Sequence, residues 1–116
     1  MIRIKRVYEP ADPADGTRVL VDRVWPRGIS RDRAAVDRWL PDAGPSTELR
    51  RWFGHDTDRW VEFRSRYRAE LVTNPHVAEL VALAASGPLT LVYSARDTEH
   101  NQAVVLAEVV SEQLGE

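Results

Sequence analysis

Two short stretches, Arg18-Val-Leu-Val-Asp-Arg-Val24 and Leu89-Thr-Leu-Val-Tyr93, place apolar side chains on consecutive rather than alternating positions. Successive side chains of a β-strand point to opposite faces, so a strand covered on one face reads apolar, polar, apolar. A run without that alternation has to be covered on both faces. Parallel sheets flanked by helices supply such cover. The expected fold is therefore α/β: one compact domain over residues 1–116, with a short, mostly parallel sheet flanked by helices. The runs near 18–24 and 89–94 are expected to lie side by side in parallel.

The rest of the chain fits this frame. Ile2, Ile4 and Val7 with Tyr8 form another short strand, closed by the turn-rich Glu9-Pro-Ala-Asp-Pro-Ala-Asp-Gly16. Residues 31–44 leave a helical turn and a short strand both open, with Ala34 to Leu40 leaning toward an extended segment. Ser46 suits the N-cap of a helix carrying Leu49, Trp52 and Phe53, which Gly54 ends. Asp56 or Thr57 then starts a longer helix with the stripe Trp60, Phe63, Tyr67 and Leu71. Asn74-Pro75 opens another, with Val77, Leu80, Val81 and Ala84 on one face, and Gly87-Pro88 closes it. A last helix is expected from Thr98 onward, with Ala103, Leu106, Ala107, Val110 and Leu114 in register.

Composition excludes several chemistries. The 116 residues include no cysteine, which removes disulfides, thiolate nucleophiles, Cys-ligated zinc and iron–sulfur clusters. The first residues lack the apolar core of a signal peptide, and the longest apolar stretch, Val77 to Ala85, is broken by Glu79. A soluble cytoplasmic protein without a membrane partner is expected. No nucleotide P-loop, Rossmann glycine motif, esterase elbow or zincin helix occurs, and no cofactor is expected. His55-Asp56 and Asp97-x-x-His100 are isolated pairs, weak grounds for a metal site, and no metal is expected. Residues 1–68 hold 15 basic and 11 acidic side chains, residues 69–116 one and 7. Lys5 is the only lysine, and arginine offers a planar fork suited to carboxylate and phosphate.

Chemistry-bearing residues gather at two strand ends. Asp22, Arg23, Trp25 and Arg27 follow the apolar Val19-Leu-Val21, and ligands in open α/β sheets sit outside the carboxyl ends of strands. The structural reading of Asp22-Arg23 is an internal ion pair that ties the loop down. The second group joins the last strand to the last helix and contains Tyr93, Ser94, Asp97, His100 and Asn101. A helix start there offers free N–H groups, and His100 three residues before Ala103 extends the inward stripe. Asp97 or Thr98 could equally cap the helix, with His100 a packing residue. Arg64 interrupts an otherwise apolar helix face, so it either snorkels or enters a polar pocket. A third segment, Pro45-Ser-Thr-Glu-Leu-Arg-Arg-Trp-Phe-Gly-His55, sets adjacent arginines beside aromatics, which suits phosphate contact and base stacking, or a helix with a buried aromatic and a solvated basic edge.

These residues resemble those of a known family. Lys5-Arg-Val-Tyr8, Arg18 to Gly28 with its Val-Asp-Arg-Val-Trp-Pro-Arg-Gly string, Pro45-Ser-Thr-Glu-Leu-Arg50, Phe63-Arg64 with Tyr67, and Leu89 to Ala95 with His100-Asn101 are similar to the YeaO-like family. That family belongs to the domain of unknown function 488 group. The resemblance runs nearly end to end and implies a compact α/β fold that brings the two strand-end motifs together. The broader group carries cysteines around the last strand–helix turn, where this chain has Ser94 and Glu99, so thiol chemistry does not transfer.

The expected site is one solvent-connected pocket lined by Asp22, Arg23, Arg27, Arg64, Ser94, Asp97 and His100, binding a small anionic or phosphorylated ligand. In an enzyme of hydrolase or transferase type, His100 would be the general acid/base, oriented by Asp22 or Asp97. Arg23, Arg27 and Arg64 would clamp the anion, and Trp25, Tyr93, Ser94 and Asn101 would complete the binding wall. Ser94 fits a hydrogen-bond donor better than a nucleophile. A nucleic-acid-binding module using the Arg/Trp-rich first half, less favoured by the near-neutral charge, and an interaction domain without catalysis are the competing readings. These residues do not specify an oligomeric state.

Overall fold

In the computed structural model, which describes residues 1–115, the apolar runs lie at the centre of one parallel sheet. Its strands are β1 (Ile2–Arg6), β2 (Thr17–Leu20), β3 (Arg38–Trp39) and β4 (Leu89–Tyr93), in the order β1-β4-β2-β3. β4 is flanked on both sides, by β1 with Ile4 opposite Leu91 and by β2 with Val19 opposite Leu91. The two runs are parallel neighbours, as their lack of alternation requires. The helices are α1 (Arg31–Ala34), α2 (Thr47–Phe53), α3 (Trp60–Leu71), α4 (Pro75–Ser86) and α5 (Gln102–Leu114).

The pleat divides the core. Val19, Val21, Leu89, Leu91 and Tyr93 face α2 to α5 and meet Phe53, Phe63, Tyr67, Leu80 and Leu106. Leu20, Val92 and Val7 face the other way and meet Ile29, Ala34, Trp25 and Trp39. On that second face the buried Asp15 carboxylate accepts from Arg18 (2.7 Å) and Lys5 (3.1 Å), fastening the turn before β2 to the sheet. Gly16 in this turn has φ 64°, and a Cβ there would lie 2.2 Å from the Pro88 carbonyl oxygen, so only glycine fits.

Two boundaries differ from expectation. β2 ends at Leu20 rather than Val24, although the Val21 N–H still donates to Val92 O (3.0 Å). From Asp22 the chain leaves the ladder because its side chain bonds Ser94 and its carbonyl accepts from Trp39 Nε1 (2.8 Å). α5 begins at Gln102 rather than Thr98. Asp97 Oδ1 accepts from the N–H groups of Glu99 (2.9 Å) and His100 (3.0 Å), closing a separate turn, and Asn101 caps the helix through the Val104 N–H (3.2 Å). His100 therefore lies outside the helix and not on its inward stripe. Residues 31–44 combine both open readings: α1 is one helical turn, Ala35 reverses the chain at φ 51°, and β3 is a two-residue strand. Among the described residues no helix is long and apolar enough to cross a membrane.

Candidate functional site

At the carboxyl ends of β2 and β4, where both strands hand over to loops, the structure holds a cavity of about 150 Å³. Its walls come from four places. Asp22, Arg23 and Val24 follow β2, while Ser94 and Ala95 follow β4. Asn101 and Gln102 begin α5, and Pro45, Arg50, Phe53, His55 and Phe63 belong to α2, α3 and their flanking loops. Phe53 and Phe63 stack with centroids 4.2 Å apart and form the apolar wall.

Asp22 and Arg23 are neighbours in sequence with separate partners. Asp22 is 8% exposed and accepts from Ser94 N (3.1 Å), from the Ser94 hydroxyl at short range, and from Gln102 Nε2 (2.6 Å). Burial pushes its carboxyl above the usual aspartate range, against the opposing hydrogen bonds and the charge of His55. Arg23 spreads its guanidinium over one loop, donating from Nε to Pro45 O (2.8 Å), from Nη2 to Gly44 O (3.2 Å) and from Nη1 to Asp42 (3.2 Å). The expected alternative to a site, an Asp22–Arg23 ion pair, does not form. Tyr67, fully buried, holds the same loop by donating its hydroxyl to Ala43 O (2.6 Å).

Two further lining residues, Arg50 and His55, make no side-chain hydrogen bond among the described residues, and Arg50 makes no ion pair there. His55 follows Gly54, which ends α2, and is itself held at φ 59° with its ring against Phe53 at 6.0 Å. A non-glycine residue in this left-handed region stores backbone strain of about 1–3 kcal/mol. His55 lies in the cavity lining.

Of the residues read from the sequence, the structure brings Asp22, Arg23, Ser94 and Asn101 to this cavity. The others are elsewhere. Trp25 covers the second sheet face, donating from Nε1 to Ile29 O (2.7 Å) and meeting Trp39 edge-on. Arg27 is exposed, its backbone carbonyl accepting from the Tyr8 hydroxyl (3.2 Å). Arg64 makes a two-pronged pair with Glu108 of α5 (2.9 and 3.0 Å) on the half-exposed flank, so it snorkels rather than entering the pocket. Tyr93 is buried beside Asn101 and is not in the lining. Asp97 and His100 bond each other (Oδ2 to Nδ1, 2.9 Å) outside the lining, with the His100 ring edge-on to Trp60. The single pocket expected for all seven residues is thus replaced by a cavity that Arg27, Arg64, Asp97 and His100 do not line.

The sequence places Arg50, Phe53 and His55 in a segment suited to nucleic acid rather than at this cavity, and gives Gln102 no role. For Arg50 and His55 the signal was present, a basic, aromatic segment followed by Gly54, but it reads equally as a solvated helix edge. Gln102 carries no signal unless the helix start is placed at Asn101.

The comparisons with known proteins cover nearly the whole chain. A family profile described as the inactive DUF488-N3 subclade matches residues 1–116. The uncharacterised protein YeaO of Escherichia coli is 46% identical over 108 residues, covering 92% of this chain and 94% of its own. Uncharacterised proteins of Mycobacterium tuberculosis and Mycobacterium bovis are 44% identical over 110 residues, covering 95% of this chain and 93% of theirs. No solved structure matches. The chain is a member of the DUF488 family, in its DUF488-N3 branch, and shares that membership with YeaO.

Proposed function

We propose that the protein binds a small ligand through an anionic group, carboxylate or phosphate, in the cavity at the carboxyl end of its sheet, without transforming it. The observation that carries this reading is Arg50, a guanidinium at the cavity wall with no partner of its own among the described residues. Arg23 adds donors not spent on its loop, since a guanidinium has five N–H groups and three are used. His55 stands beside them. The only acid in the lining, Asp22, makes no ion pair with Arg50 among the described residues.

The acid/base pair expected from the sequence does not face this cavity. The Ser94 hydroxyl donates to Asp22, and His100 is bound to Asp97 outside the lining. The description of the matching subclade as inactive is in keeping with a binding role. The nucleic-acid reading has less support. Trp52 carries Arg59 and Arg66 over its ring, but Arg59 pairs with Asp56 and Arg66 with Glu62, which cancels much of that face's charge.

Titration calorimetry with acetate, benzoate, inorganic phosphate and phenyl phosphate tests the reading. At least one anion is expected to bind, and Arg50→Ala to weaken it roughly tenfold or more, the scale of a lost charge-assisted contact. Arg51→Ala, away from the cavity, is expected to change little. No binding of any of the four at millimolar concentration, or equal loss in both variants, would overturn it.

A further inference from the structure

We infer that the ligand is a small zwitterion, with an ammonium seated at Asp22 and an anionic group, carboxylate or phosphate, a few bonds away. This rests on the reading above, in which Arg50 takes the anionic group. Asp22 is more than nine-tenths buried, and all three donors it accepts from are neutral: the Ser94 N–H, the Ser94 hydroxyl and the Gln102 amide. It makes no ion pair among the described residues, because the adjacent Arg23 turns to Asp42, Gly44 and Pro45. A buried carboxylate whose hydrogen-bond donors are all neutral is costly; His55 acts on it only from beyond hydrogen-bond reach, and a cation in the adjoining cavity compensates it directly.

The cavity thus has two unmatched poles, Asp22 on one wall and Arg50 on another. A plain anion satisfies the second and leaves the first. An ammonium has three donors, and three acceptors stand together for it. Asp22 Oδ1 takes a single bond, from Gln102. Gln102 Oε1 is turned free because Nε2 serves Asp22, and the Ser94 Oγ lone pairs are open because its proton goes to Asp22. A metal cation matches less well. Hard cations gather six or more oxygens, usually from several carboxylates, and the described residues hold no cluster of three or more acidic or histidine side chains that could bind one. At about 150 Å³ the cavity equals some five water volumes of ~30 Å³ each, room for an amino acid of a few carbons. The stacked Phe53 and Phe63 would line its methylene segment.

Calorimetry on the full chain with matched pairs decides the point: propionate against β-alanine, butyrate against γ-aminobutyrate, ethyl phosphate against ethanolamine phosphate. The amino member of at least one pair is expected to bind roughly tenfold or more tighter than its plain partner. Asp22→Asn is expected to close that gap, and Arg50→Ala to weaken both members. The tighter series assigns the anionic group as carboxylate or phosphate. Equal affinities within every pair would overturn the zwitterion while leaving the anion site standing. Silence from all six probes would overturn both. The comparison within pairs is made on the unmodified protein, so it holds even if a variant folds poorly.

Discussion

Arg23→Ala is expected to lower the stability of the fold by roughly 2–4 kcal/mol, the sum of charge-assisted hydrogen bonds to carbonyls that water cannot readily replace. Its guanidinium holds Gly44 O and Pro45 O, both on buried residues, and reaches Asp42 on the same loop. Gly44 lies close under β2, where a Cβ would stand 3.2 Å from Val21 O, so the loop has little room to rearrange. For a domain of this size the melting temperature should fall by about 10–20 °C. Arg23→Lys keeps the charge but not the fork and should recover only part of the loss. Thermal or urea unfolding checks this. An unchanged melting temperature would mean that Arg23 serves a ligand alone and that the loop is held by Tyr67.

Asp22→Asn is expected to act in the opposite sense and raise the melting temperature by a few degrees. Asparagine keeps an acceptor for Ser94, and the Gln102 amide can turn its oxygen to the new NH₂ group. What disappears is a buried charge that makes no ion pair among the described residues. The dependence on pH follows from the direction of the shift, since burial holds the Asp22 carboxyl above the usual aspartate range. Below about pH 3.9, the unfolded value, Asp22 is protonated in both states and carries no penalty. As pH rises through the folded value the native state has to ionise it, and that part of the stability is lost. The advantage of Asp22→Asn should therefore emerge above roughly pH 4 and be complete near neutrality. Melting curves of both proteins across pH 3–8 measure it. A variant less stable than the parent at pH 7 would make Asp22 a structural residue. Stability given up at a binding position is the exchange commonly seen at functional sites.

The sheet was legible in the sequence because its signal is local. Val19-Leu-Val21 and Leu89–Tyr93 lack alternation, and two-sided burial follows directly. The caps were legible for the same reason: Ser46 and Asn74 each accept an N–H of the helix they begin. The start of α5 was not, because Asp97 and Asn101 are both competent caps four residues apart, and the two form successive turns. That displacement carried His100 out of the pocket. Arg64 shows a different limit. Its place on an apolar stripe says that it must find a partner, but Glu108 lies on another helix, and no periodicity identifies it. Half of the candidate site was visible as strand-end polarity at Asp22, Arg23 and Ser94. The other half, Arg50 and His55, faces the cavity only because α2 packs across the strand ends, a tertiary fact.

The central claim is that the cavity between Asp22 and Arg50 is where this protein meets its ligand. Backbone amide NMR of the labelled protein, titrated with β-alanine and with propionate, tests it most directly. The amides of Phe53, His55, Ser94, Ala95 and Gln102, which ring the cavity, are expected to shift together and saturate along one binding curve. Shifts confined to the Trp52, Arg59 and Arg66 face, or no saturating shift at the cavity, would contradict it.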